Sequence, residues 1–318
     1  MRTPVIVYAR IMKKEITLLF SCLGLALVLA GQSLHAQPSD AGGKKLTEEI
    51  RAKAEKGDAE AQCSLGSCYF DGRDVAKDEA EAVKWTRKAA DQNYAKAQCN
   101  LGIAYGLGLG VTKNMAESVK WLRKAAEQNY AQAQCILGIV YGYGRGLARD
   151  DAEALKWYRK AAEQNYAEAQ DNLGFCYFDG RGVAKDMAEA LKWYRKAAEQ
   201  NYPPSEYRLG SCYIEGQGVA QDYAEGVKWL RKAAEQNYAE AQLGLAIRYA
   251  NGQGVPKDNV EAYKWVVLAA AQNNEHARQN KPNLEGLLSP EQIAEGKQRA
   301  NDWLELHKNP SAGKSSNP

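Results

Sequence analysis

The chain has 318 residues, 45% of them apolar and 25% charged, a balance that suits a folded body and excludes a largely disordered one. The formal net charge of +3 comes from the first 36 residues, where Arg2, Arg10, Lys13 and Lys14 outnumber Glu15, and the remainder carries 38 charges of each sign. Such a body lacks the clustered phosphate-neutralising charge that nucleic acid requires, so no nucleic acid is expected among its partners.

In chain order, Ile16 to Gly31 form an uncharged apolar run directly after Lys13 and Lys14, and small residues follow to Ala36. This is the layout of a secretory signal over residues 1–36, with cleavage after Ala36 or Ala30 and with Met1 or Met12 as the start. The run is short for a membrane span of about 20 residues, so the membrane is expected only through an uncleaved signal. Cys22 sits inside the apolar run rather than after it, which argues against a lipid-modified cysteine. Export places the body in the periplasm or outside the cell.

Residues 37–57 form a linker and a capping helix over Leu46 to Lys56, ending at Gly57-Asp58. The body then repeats with a period of 36. Trp85, Trp121, Trp157, Trp193, Trp229 and Trp265 keep that spacing, as do the columns beginning at Leu65 and Tyr69. A fixed period of this length marks stacked units, placed at 58–93, 94–129, 130–165, 166–201, 202–237 and 238–273.

Each unit reads as two helices. Ala61, Leu65 and Tyr69 recur at i, i+4 and i+8, one stripe of a helix, and Gly66 beside them leaves room for a close neighbour. Gly72-Arg73-Asp74-Val75, Gly-x-Gly-Val or Gly-x-Gly-Leu in the other five units, supplies the positive φ angles of a tight turn. The second helix opens with Asp78 and Glu81, the spacing of a capping box, and closes at Asn93, a residue that tolerates the left-handed conformation. Residues 274–308 form a C-terminal capping region, in which Ser289-Pro290-Glu291-Gln292 start a helix running to about His307, with Trp303 on its apolar face. The tail 309–318 is expected to be disordered. The predicted fold is all-α: an α/α solenoid of six 36-residue helix-turn-helix repeats with capping helices.

The unit running from Ala167-Glu168-Ala169-Gln170 through Leu173-Gly174, Gly180-Arg181-Gly182-Val183, Asp186 and Trp193 to Gln200-Asn201 closely resembles the Sel-1-like repeat family, related to tetratricopeptide repeats. The resemblance covers residues 58–273. It implies a right-handed superhelix and a scaffold or adaptor whose partner is a protein or peptide. It also implies an alternative, since some bacterial cysteine-rich members carry a β-lactamase or penicillin-binding label: a penicillin- or peptidoglycan-interacting protein.

The residues give catalysis little to stand on. Of the three histidines, His35 falls in the signal, and neither His276 nor His307 lies near a Ser or Cys in a catalytic arrangement. The sole Ser-x-x-Lys, Ser311 to Lys314, is in the tail, and Ser-Asp-Asn and Lys-Thr-Gly are absent from the sequence. No enzyme, cofactor or metal is expected. The six cysteines after the signal occupy two first-helix columns, Cys63, Cys99 and Cys135 in one, Cys68, Cys176 and Cys212 in the other. Helices pack about 8–10 Å apart and a disulfide needs Cα atoms within about 7 Å, so packed thiols are expected. Cysteine-rich members of the family bridge the two helices of a repeat, and here the second helices have no cysteine.

The first-helix columns beginning at positions 60, 64, 67 and 71 vary between units while the packing columns do not. In mid-array they turn apolar, as Ile103, Leu107, Ile136, Ile139, Tyr143 and Phe175, and toward the ends polar, as Ser64, Ser67, Asp71, Arg208, Ser211 and Glu215. By analogy with tetratricopeptide arrays this face is the concave one. It is the expected partner-binding patch, with Lys96, Asn100 and Asn172 setting specificity. Packing of the same side chains against a facing helix is the competing expectation. The Lys84, Arg87 and Lys88 columns on the second helix read as a solvated face of ion pairs.

Overall fold

The computed structural model describes residues 42–308. The expected signal and the C-terminal tail lie outside them. The described residues hold fifteen helices and no strand. A capping helix α1 (Gly42–Glu55) precedes six hairpins: α2 (Ala59–Asp71) with α3 (Glu79–Asp91), α4 (Ala95–Leu107) with α5 (Met115–Glu127), α6 (Ala131–Tyr143) with α7 (Asp151–Glu163), α8 (Ala167–Asp179) with α9 (Met187–Ala198), α10 (Pro203–Glu215) with α11 (Tyr223–Glu235), and α12 (Ala239–Asn251) with α13 (Asn259–Ala271). Helices α14 (Glu275–Glu285) and α15 (Pro290–Lys308) end the chain. This is an α/α solenoid repeat fold. It comprises two compact units that divide between Gln164 and Asn165.

The stop signals work as their residues dictate. Asn93, Asn129, Asn165, Asn201, Asn237 and Asn273 all take φ between 58° and 66°. With Asn93 left-handed, its N–H donates to the Ala90 carbonyl and the Tyr94 N–H to that of Ala89, closing the last turn of α3 with a Schellman pair. The start signals differ from the expected capping box. The Asp78 carboxylate accepts from the Glu81 N–H at 2.9 Å, but Glu81 turns outward to Lys84 at 2.8 Å. The Asp78 N–H donates instead to the Tyr69 carbonyl of the preceding helix, and the same bond recurs from Asn114 to Tyr105 and from Asp186 to Tyr177. The N-cap therefore locks the hairpin as well as starting its second helix. A reciprocal box does form at α15, where Ser289 and Gln292 cap each other's backbone.

Within unit one, apolar clusters bridge consecutive hairpins. One joins Val83, Leu101 and Trp121; another joins Cys99, Leu122, Leu137, Val140 and Trp157. Gly138 is required at its place on α6, because a Cβ there would lie 2.5 Å from the Tyr158 ring of α7. Between repeats runs a polar ladder. Gln98 Nε2 donates to the Ala90 carbonyl (3.2 Å) and Asn93 Oδ1 (3.0 Å), and Gln128 Nε2 donates to Gln98 Oε1 (2.7 Å). Gln134 and Gln164 repeat the arrangement. Buried amides are stable here because each hydrogen has an acceptor.

Within unit two, one cluster is centred on Leu191, Tyr194 and Leu209. A second runs from Val227 and Leu230 through Tyr263, Trp265 and Val266 to Leu284 and Trp303. Trp303 of α15 packs edge-on against Trp265 at 6.0 Å, which seals the C-terminal end. Helix α14, within the predicted C-terminal capping region, continues through Pro282.

Candidate functional site

Each unit has its own first-helix face, built by α2, α4 and α6 in unit one and by α8, α10 and α12 in unit two. The structure corrects the expectation of an open apolar patch. Ile103, Ile136 and Ile139 are only 4%, 6% and 4% exposed, and Ile103 and Ile136 belong to the same cluster as Leu122, Leu137 and Trp157. These three side chains, on two columns that vary between repeats, are nonetheless consumed by packing. Leu107 packs partly against that cluster and stays half-buried, as does Tyr143. Lys96 is exposed. Asn100 is buried, with Nδ2 3.7 Å from Cys63 Sγ, so its amide serves the interior.

In unit two Phe175 is 8% exposed. Its ring is approached by two guanidiniums, Arg181 at 4.8 Å and Arg208 at 5.4 Å, a favourable cation–π placement. Arg208 Nε donates to Asp171 Oδ1 at 3.1 Å, and the Ser205 hydroxyl donates to the same oxygen at 2.7 Å. Asp171 stands in the column held by cysteine in the first three repeats, and this buried pair was not foreseen. Its signal was the charge change at position 171 answered by Arg208, one repeat and one residue on. Asn172 is half-buried. The column that contains Ile103, Ile139 and Phe175 turns polar at Ser211 and apolar again at Ile247, which is 38% exposed. The period alone could have found it.

The thiols are interior. Among the described residues all six cysteines are buried and none is in a disulfide. Burial pushes the Cys63 thiol up to about 11, with Lys96 and Asn100 pulling the other way, and Cys212 up to about 12. Cys99 is raised by burial as well. A thiol held protonated and covered is a poor nucleophile. Native protein at pH 8 is therefore expected to leave these six unlabelled by a thiol reagent that labels them all in denaturant. Rapid labelling of any of them, or an intramolecular disulfide in non-reducing mass spectrometry, would contradict it.

Among the described residues there is no group of three or more His, Cys, Asp or Glu placed to hold a metal, and no helix is long and apolar enough to cross a membrane. His276 is exposed and His307 stacks on Trp303 at 3.8 Å.

Six segments, residues 59–94, 95–130, 131–166, 167–202, 203–238 and 239–274, match the Sel1 repeat. The chain belongs to the Sel1 repeat family. A protective antigen of uropathogenic Escherichia coli strains with an SLR fold shares 35% identity over 85% of this chain and 61% of its own, at a TM-score of 0.68. A Sel1 repeat protein from Oxalobacter formigenes shares 32% identity over 79% of this chain and 96% of its own, at a TM-score of 0.67. The secretory immunoglobulin A-binding protein EsiB of Escherichia coli is 39% identical over 65 residues, 20% of this chain and 13% of EsiB. Thus the chain spans less than two thirds of the antigen and about an eighth of EsiB. Sel1 repeat proteins are generally non-enzymatic scaffolds for protein interactions.

Proposed function

We propose that the chain is an exported, non-enzymatic scaffold that holds a protein or peptide against the first-helix face of its repeats. The observation that carries this is a division of labour inside the 36-residue unit. The Leu65 and Trp85 columns are constant from repeat to repeat, whereas the first-helix columns beginning at positions 60, 64, 67 and 71, which include accessible positions, are not. A face that differs at each step along an otherwise uniform array can distinguish one partner from another. Unit one offers Leu107, Tyr143 and Lys96, and unit two offers Asn172 and Ile247. Ile103, Ile136, Ile139, Phe175 and Asn100 support that face from beneath. A relative named for binding secretory immunoglobulin A supports a protein as the class of partner. Export is supported by the basic and then apolar composition of the first 36 residues.

The test is a pull-down from envelope extract, comparing wild type with a Leu107→Asp, Tyr143→Asp, Lys96→Glu variant of unchanged helical signal. At least a tenfold loss of one captured protein is expected, as for removal of anchoring side chains. Equal capture of every protein by both forms would remove this face of unit one from the proposal.

A further inference from the structure

The polar ladder has one substituted rung. The column that reads Gln62, Gln98, Gln134, Gln170 and Gln242 holds Glu206 in the fifth repeat. Glu206 is 0% exposed. One carboxyl oxygen, Oε2, accepts from Gln236 Nε2 at 2.7 Å, as the glutamine carbonyl oxygens do in the other repeats. The other oxygen, Oε1, is buried and has no hydrogen-bond partner. At the equivalent place Gln134 carries an N–H pair that donates to the Ala126 carbonyl and Asn129 Oδ1, and Gln242 donates likewise to Ala234 and Asn237. The matching acceptors for residue 206 are the Ala198 carbonyl and the side-chain oxygen of Asn201. An ionised carboxylate has no hydrogen to offer either of them and would set oxygen against oxygen in a site without water access.

We propose that Glu206 stands in the folded chain as a neutral carboxylic acid whose O–H replaces the glutamine N–H, making the joint between repeats four and five sensitive to pH. The O–H donates toward the Ala198 carbonyl, while Oε2 remains the acceptor for Gln236. Burial raises this carboxyl from 4.5 to about 7; Lys232 opposes the shift and Glu235 adds to it. Those two charges both come from α11. On the α9 side the groups facing it, by equivalence with the other rungs, are the uncharged Ala198 carbonyl and Asn201 amide. Because the folded value lies above the unfolded one, the stability tied to this proton is fully present below about pH 4.5 and is lost as pH rises through about 7. The surrounding joint already departs from the others: α9 is a residue shorter than α7, and α10 begins with Pro203-Pro204.

Glutamine fits this position in five repeats, so Glu206→Gln should fold. Wild type and Glu206→Gln would be unfolded in urea at pH 5 and at pH 8.5, where other ionisations affect both chains alike. The unfolding constant of wild type relative to Glu206→Gln is expected to rise by one to about two orders of magnitude between the two pH values. Protection factors of the α10 and α11 amides, with the intrinsic pH dependence of exchange divided out, should fall in wild type alone over the same interval. A wild-type to variant ratio that stays constant with pH would overturn the proposal. It would mean that the acid is ionised at both pH values, with Asn201 turned to donate its own N–H.

Discussion

Ile139→Asp is expected to unfold the middle of the array rather than to alter its surface. The side chain is 4% exposed on α6, on a helix whose residues 133–140 are all buried. A carboxylate there has to be desolvated, or protonated at a cost, and the loss of isoleucine contacts adds to this. The sum is about 4 kcal/mol or more. Ile139→Val removes one methylene and should cost about 1 kcal/mol. Urea unfolding followed by circular dichroism separates the cases: the aspartate variant should lose helix at urea concentrations that leave wild type and the valine variant intact. If Ile139→Asp instead unfolds with wild type, its side chain reaches solvent, and residue 139 joins the contacts proposed for a partner. The same logic applies to Ile103 and Ile136. Lost binding in their aspartate variants would report a lost fold, which is why Leu107, Tyr143 and Lys96 are the residues to change in a capture experiment.

The difference between these isoleucines and Leu107 marks how far the sequence reaches. Helix starts, helix stops and the glycine turns were legible because each is a local device written six times, and a left-handed Asn93 needs only its own neighbours. Whether a first-helix side chain is covered depends on how closely successive first helices approach, and that is set by packing across repeats rather than within one. Column variability therefore singles out a face, but it could not separate Ile103, which is buried, from Leu107, which is half-open. The capping glutamates show the same limit. Glu81 has the spacing of a reciprocal box, yet the Asp78 N–H is taken by the Tyr69 carbonyl, a partner that only the folded hairpin supplies. Asp171 was visible as the one charge in a column that otherwise reads Cys63, Cys99, Cys135, Tyr207 and Leu243, and Glu206 as the single departure from a column of glutamines. Their meaning required knowing what else shares the space: Arg208 for the first, an acceptor for which no proton is written for the second.

Gly110→Ala should be among the most damaging single-methyl additions. Gly110 takes φ +64°, and a Cβ on it would lie 2.0 Å from the Glu79 carbonyl oxygen at the start of α3. The turn of the second repeat thus sits directly on the backbone of the first, and neither has a flexible side chain to move. Left-handed strain for alanine accounts for about 1 kcal/mol, and separating two backbones brings the expected cost to about 3 kcal/mol or more. Gly57→Ala is the control. Gly57 has φ +97° with nothing within 4 Å of an added Cβ, so it should show backbone strain alone, about 1–2 kcal/mol. The first repeat explains the contrast. There the same turn position is Asp74, at φ 57°. Its side chain accepts a hydrogen bond from Thr47 of the capping helix at 3.1 Å. A side chain is tolerated where only the cap precedes the turn and excluded where a full repeat does. Equal destabilisation of Gly110→Ala and Gly57→Ala in urea would show that the turn does not bear on its neighbour. A larger loss at Gly110 would place repeat-to-repeat contact, and with it the spacing of the first helices, on a single missing methyl group.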